Sequence, residues 1–417
     1  MHGIRQVWVE ATLAVVAFAA LCAVVLAVGA PTRGVEPDDG AYHLSIVGVT
    51  MGDFLTLSSA QLDAAETRVG DRPGLPNQWI ELPSGRYISE KDPGYPFLAA
   101  PFEALGIMPL AQLFYGALAC LGLFVGARRW LGSFGGPAAV GLYCSSGAAL
   151  LFAWRMYMPT FTDASLVAAG SGLLLWALLA TEASVRGRAW VGLAGFAALE
   201  IATFVRYTDI VVLGCAVVAV LLAWRLRAVR LPFRTLSRWL ASVAVFGAGV
   251  AVFDDQIYGG PLTTGYQPGE VTFGLGAVGP SLRIMPAPLI RTMPMLVLGL
   301  LTVAWIALRW CIRRRAGGRE GVAARRDLWV GLALAASWLA IWGLYSTYTW
   351  TVDGGVDLQL VRFYVPAIGA ISLLGAWLVT RIPGRAWVAG LASTAVVAAL
   401  FGVGAWSFHS MWLWAVS

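Results

Sequence analysis

The sequence predicts an all-α polytopic membrane protein, and three observations lead to this fold class. Hydrophobic residues occupy 59% of the 417 positions, whereas charged residues occupy only 12%. The mean hydropathy is +0.73, and long apolar runs recur along the whole chain. Soluble domains contain about 45–50% apolar and about 25% charged residues. The composition therefore excludes a soluble enzyme, a disordered chain and a nucleic-acid-binding module.

Eleven apolar segments approach the length of about 20 residues that a membrane-spanning helix requires. They lie at about 8–30, 105–127, 134–154, 164–182, 189–205, 208–224, 239–257, 292–308, 328–347, 363–380 and 386–408. The first segment also resembles a signal peptide, because Arg5 precedes an apolar run that ends in Val28-Gly29-Ala30. Pro31 would follow the cleavage site, however, and the run is long enough to span. We predict a retained helix.

The distribution of charge predicts the orientation in the membrane. With a cytoplasmic N-terminus, 19 of the 29 basic residues fall in cytoplasmic segments, and 18 of the 23 acidic residues fall on the other side. This arrangement follows the positive-inside rule, so the arginine clusters are interpreted as topology signals rather than as a ligand site. We expect one membrane domain over residues 1–417, with polar extracytoplasmic loops at 31–96, 258–291 and 348–362.

The large first loop is predicted to have structure of its own. Residues 42–68 favour one or two short amphipathic helices that lie on the membrane. Two short β-prone runs, 79–82 and 86–89, flank Pro83-Ser84-Gly85, which predicts a hairpin. Pro and Gly at 93–96 indicate that no helix begins before Pro96.

An acidic cluster at the start of the first loop is the most informative group of ionisable residues. Glu36, Asp38 and Asp39 fall within four positions, directly after the first predicted span. Like charges this close raise one another's pKa unless a cation compensates. A carboxylate in such a place can take a proton from a hydroxyl. The alternative is a solvated acidic loop start with no chemical role.

Other polar residues are predicted at the same face and at a similar depth. Asp163, Arg206 and Arg362 stand at the outer ends of spans, and Lys91, the single lysine of the chain, lies in the turn that leads back to the membrane. Ionisable residues at membrane depth usually face a cavity or each other. Guanidinium groups suit a lipid phosphate, although the arginines could also extend towards lipid headgroups.

Taken in order, several short motifs resemble those of the C-type polytopic glycosyltransferases that use polyprenyl-phosphate sugars. Asp38-Asp39 opens a DDGAYHL string similar to the acidic-acidic-x-x-Tyr string of that superfamily. Asp92-Pro93-Gly94-Tyr95-Pro96 is similar to its PPGY-like segment, and Arg362-Phe363-Tyr364-Val365-Pro366 to its Arg-Tyr/Phe-x-x-Pro string. Arg206-Tyr207 resembles an Arg-Pro-like turn, and Gly260-Pro261 with Thr264-Gly265-Tyr266 resembles an FGxP…TGY loop. The resemblance covers about residues 1–380.

The resemblance implies a single inverting displacement on the extracytoplasmic face. Asp38, preferred to Asp39, would be the general base, and Asp39 would orient the acceptor or bind a metal. The remaining residues divide into a donor-phosphate group, Arg362, Arg206 and Lys91, and an acceptor or sugar group, His43, Tyr42, Asp163, Tyr95 and Tyr266. No cofactor is required, although a divalent metal is possible. No Gly-rich loop indicates nucleotide-sugar binding, and the five scattered cysteines indicate neither a disulfide framework nor a zinc site.

The expected partners are a polyprenyl-phosphate lipid donor, the lipid bilayer of the plasma (inner) membrane, and a cell-envelope glycan, glycolipid or protein acceptor. No nucleic-acid partner is expected. The arginine-rich, lysine-poor composition favours an actinobacterial source, and by association mannose or arabinofuranose. Three other functions stay open at this point: a transporter or flippase of lipid-linked intermediates, an envelope glycan polymerase or ligase, and a non-catalytic assembly subunit. Transporters commonly show repeated halves, and no such repeat is visible here.

Overall fold

The protein is nearly all helical over the residues that the structure, a computed structural model, describes. These are residues 2–29, 31, 37–52, 55–70, 78–229, 231–266, 269–313, 318–353, 360–382 and 386–416. Glu36, the first residue of the acidic cluster, lies outside them. The predicted all-α polytopic class is confirmed.

The helices follow one another along the whole chain, with one short hairpin between the third and the fourth. They are α1 (His2–Ala27), α2 (Pro37–Thr50), α3 (Ser59–Val69), α4 (Gly94–Ala104), α5 (Pro109–Leu131), α6 (Gly135–Cys144), α7 (Gly147–Trp154), α8 (Thr160–Leu179), α9 (Val185–Val205), α10 (Ile210–Arg225), α11 (Phe233–Tyr258), α12 (Val278–Ile284), α13 (Pro286–Thr292), α14 (Leu296–Arg313), α15 (Gly318–Ser346), α16 (Trp350–Asp353), α17 (Ile368–Val379) and α18 (Ala386–Val416). Short 3₁₀ turns cover Tyr207–Asp209, Leu275–Ala277, Val361–Phe363 and Val365–Ala367. The hairpin pairs β1 (Trp79–Glu81) with β2 (Tyr87–Ser89).

Apolar helices occupy all eleven predicted segments, but the described residues provide eight to ten candidate membrane spans rather than eleven. Among the described residues, eight helices are long and apolar enough to cross a membrane. Two further segments are bent pairs, α6 with α7 at 62° and α13 with α14 at 103°, and the segment at Val365–Val379 is a shorter apolar helix. The chain is therefore an integral membrane protein.

Local chemistry explains both bends. Ser146 precedes α7, and its hydroxyl accepts a hydrogen bond from the backbone N–H of Ala149, so a new helix begins there. Pro294 lies between α13 and α14. Because proline has no backbone N–H and clashes with the preceding turn, a straight helix cannot continue through it.

The first loop folds into a small unit on the end of the bundle. Ser58 and Gln61 form a capping box at the start of α3, and Gly70 ends this helix with a φ of 83°. The predicted hairpin is confirmed, with Ile80 opposite Ile88. Buried apolar side chains join these elements into one cluster: Ala41, Leu44, Val47, Leu57, Leu62, Ala65 and Trp79.

Two details of the loop differ from the prediction. Helix α2 begins at Pro37, so Asp38 and Asp39 lie in its first turn rather than in irregular chain. Helix α4 begins at Gly94, before Pro96. Proline is tolerated at Pro96 because the first N–H groups of a helix have no partner within that helix.

Candidate active site

A cavity of about 390 Å³ lies where the first loop meets the ends of the bundle helices. Its volume is within the usual range for small-molecule sites, about 300–1,000 Å³. Its polar lining consists of Asp38, Tyr42, Lys91, Asp92, Arg206, Tyr207, Thr208, Thr264, Tyr266, Tyr345, Tyr348 and Arg362. The structure thus brings together six residues that the sequence analysis singled out: Asp38, Tyr42, Lys91, Arg206, Tyr266 and Arg362.

Asp38 is held by three partners from distant parts of the chain. One carboxylate oxygen, Oδ2, lies 2.9 Å from Nη1 of Arg362. The other, Oδ1, lies 3.4 Å from Nζ of Lys91 and accepts a hydrogen bond of 2.6 Å from the side-chain amide of Gln78. Burial by itself would raise the pKa of Asp38, but the charges of Arg362 and Lys91 and the Gln78 hydrogen bond outweigh it. The pKa of this carboxyl is therefore held well below its usual range.

Asp39 has a different environment from its neighbour. Its side chain is buried and forms an ion pair with Arg155, which is also buried. Asp39 is not part of the cavity lining. Successive residues of a helix point about 100° apart, so only one member of the pair faces the cavity. The structure therefore distinguishes the environments of Asp38 and Asp39, which their positions in the motif could not do.

Lys91 is placed by a close approach between two loops. Its Nζ lies 3.1 Å from the carboxylate of Glu90 and 4.8 Å from the centre of the Tyr266 ring. Gly265 makes this possible, because a Cβ at that position would lie 2.5 Å from the Cα of Glu90. The ammonium group is therefore presented to the cavity between a carboxylate and an aromatic ring.

Arg206 and Arg362 form the cationic wall of the cavity. Arg206 stands in extended backbone between α9 and the 3₁₀ turn at Tyr207–Asp209. It donates a hydrogen bond of 3.1 Å from Nη1 to the backbone carbonyl of Arg362, and its Nε lies 3.5 Å from Asp163. The guanidinium of Arg362 lies over the rings of Trp350 and Phe363, at 5.2 and 4.8 Å from their centres. Both side chains are thus held in place.

Besides Asp39, three more predicted site residues do not line the cavity. Asp163 is fully buried behind the lining. Its carboxylate pairs with Arg206, so Asp163 positions that arginine. Tyr95 is also fully buried, where its hydroxyl donates to the carbonyl of Met156. His43 stacks on Tyr157 with ring centres 3.8 Å apart. Burial, with a smaller effect of Arg68, lowers the pKa of His43 to about 4, so the ring is neutral at pH 7.

Asp92 is a cavity residue that the sequence analysis did not select as a site residue. Burial raises the pKa of this carboxyl to about 7, although Arg206 and Lys91 favour its charged form. The close packing of α4 on α9 brings Asp92 here, since a Cβ on Gly94 would lie 2.5 Å from the backbone of Phe204. The position of Asp92 next to Lys91 was the one feature of the sequence that could have indicated a site residue. Its burial could not be predicted, because it depends on contacts with residues distant in the sequence.

No group of three or more metal-ligating side chains is found within the described ranges. Asp38 in the lining is instead matched with the cations Arg362 and Lys91, and Lys91 also contacts Glu90 outside the lining. Lys91, Arg206 and Arg362 bring three positive charges to the lining. Such an arrangement is suited to an anionic group, and guanidinium groups bind phosphate oxygens in pairs.

Two solved structures resemble this one over nearly its whole length. The structure of ArnT from Cupriavidus metallidurans in the apo state matches with a TM-score of 0.54 and 20% sequence identity, over 93% of this chain and 64% of that chain. The structure of the same protein bound to undecaprenyl phosphate matches with a TM-score of 0.52 and 20% identity, over 92% and 63%. No protein-family model matches the sequence, and neither does any curated protein. The chain spans somewhat less than two thirds of the length of ArnT, and its fold is similar to the fold of ArnT.

Proposed function

We propose that the protein is an inverting glycosyltransferase that moves a sugar from a polyprenyl-phosphate donor to a cell-envelope acceptor. The observation that carries the proposal is the contact of Asp38 with Arg362 and Lys91 inside the cavity. A carboxylate that can accept a proton and cations that can hold a phosphate thus meet at one point. The fold supports it, because one structure with this fold is described as bound to undecaprenyl phosphate.

The donor phosphate would bind to the cationic wall of the cavity. Arg362 and Lys91 would contact its oxygens, and Arg206 would hold Arg362 in place while adding its own charge. Negative charge develops on the phosphate oxygen as the bond to the sugar breaks. Preorganised cations at that point act chiefly on the transition state, which is where they accelerate the reaction.

Asp38 would act as general base once the donor is bound. In the free protein its two cations hold the carboxylate ionised but make it weakly basic. A donor phosphate competes for the same cations, so its binding frees Asp38 and raises the proton affinity of this carboxylate. Asp38 then takes the hydroxyl proton of the acceptor, whose oxygen attacks the anomeric carbon. The bond from that carbon to the phosphate oxygen breaks, its electron pair leaves with the phosphate, and the configuration inverts.

The other predicted residues take supporting places in this proposal. Tyr42 and Tyr266 line the cavity and offer rings and hydroxyls to a sugar. Asp39 would stabilise the start of α2 through Arg155, and Asp163 would position Arg206. His43 and Tyr95 would contribute to packing rather than to binding. The site would face the extracytoplasmic side of the plasma membrane, with mannose or arabinofuranose as the first sugars to examine.

Transfer of a radiolabelled sugar by the purified protein tests the proposal. We would offer polyprenyl-phosphate mannose and polyprenyl-phosphate arabinofuranose together with a cell-envelope extract. Asp38→Asn should reduce transfer by about 10²- to 10⁴-fold, the usual contribution of a general base. The matched control is Asp255→Asn, because Asp255 is exposed and does not line the cavity. Equal transfer by wild type and Asp38→Asn would refute the assignment of Asp38.

A further inference from the structure

A second charged site lies at the other end of the bundle, far from the cavity. Asp327 and Tyr345 both belong to α15, and Tyr345 lines the cavity. A helix rises about 1.5 Å per residue, so roughly 27 Å separates the two residues along the axis. Asp327 therefore lies near the membrane surface opposite the cavity, which the charge distribution predicts to be cytoplasmic.

Three arginines surround this one carboxylate. Asp327 is almost fully buried, and its Oδ2 lies 3.1 Å from Nη1 of Arg309 and 3.3 Å from Nη2 of Arg381. Arg326 lies 3.7 Å from the other oxygen, which also accepts a hydrogen bond from the indole of Trp130. Three guanidinium groups around one carboxylate leave two net positive charges. A single arginine would be enough to neutralise the buried carboxylate, so the other positive charges are available to an anion.

Two of the three arginines, Arg309 and Arg381, face a cleft with an apolar wall. The cleft, between α14 and α17, has a volume of about 320 Å³ and is lined by Trp305, Leu308, Arg309, Ile312, Trp377 and Arg381. The side chain of Arg381 is 40% exposed, and Ile312 is 71% exposed. Both arginines lie over the ring of Trp377, whose buried indole N–H has no acceptor among the described residues.

We propose that this cleft binds the phosphate headgroup of an anionic glycerophospholipid. Arg309 and Arg381 contact the phosphate oxygens, and the exposed side chains of Trp305, Leu308 and Ile312 contact the acyl chains. Guanidinium groups suit a phosphate, and basic pockets between transmembrane helices on the cytoplasmic side are favourable sites for anionic lipid headgroups. The site is independent of the glycosyltransferase proposal, because it shares no residue with the cavity.

Native mass spectrometry of the purified full chain tests this site directly. We would titrate the protein with palmitoyl-oleoyl phosphatidylglycerol, with the corresponding phosphatidylcholine, and with inorganic phosphate. We expect retention of phosphatidylglycerol in preference to both other probes. Each basic residue beside an anionic lipid changes binding about fivefold, so Arg309→Gln with Arg381→Gln should weaken phosphatidylglycerol binding about 25-fold. Arg225→Gln, at an exposed arginine of the same predicted side, should leave it unchanged.

A second variant separates lost binding from lost folding. Ile312→Glu places a negative charge in the cleft wall at an exposed position and keeps all three arginines around Asp327. It should weaken phosphatidylglycerol binding by about the same factor while leaving the thermal unfolding temperature unchanged. Equal retention of phosphatidylglycerol and phosphatidylcholine by wild type would overturn the proposal, as would undiminished phosphatidylglycerol binding by Ile312→Glu. Tight binding of inorganic phosphate alone would assign the site to a free anion instead.

Discussion

The carboxylate of Asp38 lies 2.9 Å from the guanidinium of Arg362, although the two residues come from opposite ends of the chain. Asp38 stands in the first turn of α2, and Arg362 lies in the 3₁₀ turn at Val361–Phe363. A residue that can take a proton is therefore bound, in the free protein, by a residue that can hold a phosphate. The two proposed roles are coupled through this single ion pair.

Substitution of Arg362 should reduce transfer, because Arg362 would stabilise the charge on the leaving phosphate. Arg362→Gln removes a positive charge that acts on the transition state, and the loss of one such group costs about 10²- to 10³-fold in kcat. Arg362→Lys should recover only part of this, since an ammonium cannot bind two phosphate oxygens in the fork geometry of a guanidinium. Steady-state kinetics with the lipid-linked donor would measure both variants. A kcat that is unchanged in Arg362→Gln would remove this residue from the phosphate site.

Substitution of Asp39 should affect stability more than chemistry. Asp39→Asn removes the carboxylate that pairs with the buried Arg155, and breaking a buried pair in this way costs about 3–5 kcal/mol. We expect a clearly lower thermal unfolding temperature in detergent, with transfer activity retained below that temperature. Asp63→Asn, at an exposed position of α3, serves as control. Normal stability combined with lost transfer would instead assign the chemical role to Asp39.

The donor affinity should depend on pH through Asp92. Burial raises the pKa of this carboxyl to about 7, against the effect of the nearby Arg206 and Lys91. Below pH 7 the group is mostly protonated and neutral. As the pH rises from 6 to 8 it gains a negative charge inside the cavity, which repels the donor phosphate, so the KM for the donor should rise by about tenfold.

Asp92→Asn is the variant that isolates this effect. Asparagine is neutral throughout, so the rise in the donor KM between pH 6 and 8 should disappear. The control is Asp255→Asn, in which the rise should persist because Asp255 is exposed and lies outside the cavity lining. The same pH profile in Asp92→Asn and wild type would show that another group titrates.

Gly94 should be intolerant of any side chain. A Cβ at this position would lie 2.5 Å from the backbone of Phe204 and 2.6 Å from the backbone nitrogen of Val205. Gly94→Ala should therefore push α4 away from α9, displace Lys91 and Asp92 from Arg206, and lower both stability and transfer. Gly214→Ala is the matched control. Nothing would lie within 4 Å of a Cβ at this position, and alanine favours a helix. Equal behaviour of the two variants in thermal unfolding and transfer would argue against this packing.

His43 should be replaceable by an aromatic residue without loss of activity. The ring stacks on Tyr157, and its pKa of about 4 leaves it uncharged at neutral pH. His43→Phe preserves the stack, so transfer should change by less than about twofold, a range that reflects only packing. Tyr266→Leu, by contrast, removes the ring over Lys91 and should reduce transfer. A large loss in His43→Phe would return this residue to the acceptor site.

Much of the candidate site was predictable from short motifs, but only as a set of residue types at one face. Asp38, Lys91, Arg206, Tyr266 and Arg362 were all selected from the sequence, and all line the cavity. Asp163 and Tyr95 were selected with them, yet they act from behind the lining. Which side of a helix end faces a cavity depends on packing between distant segments, and a motif does not contain that information.

The sequence by itself determined the membrane class, the apolar segments and the hairpin of the first loop. These depend on the length of apolar runs and on turn residues, which are local properties of the chain. Only the tertiary structure decided that Asp38 faces the cavity while Asp39 pairs with Arg155, because a rotation of about 100° per residue turns neighbouring helical side chains to different surroundings. It likewise decided the pKa of Asp92 and the excess charge around Asp327, since both arise from residues that meet only in the folded protein.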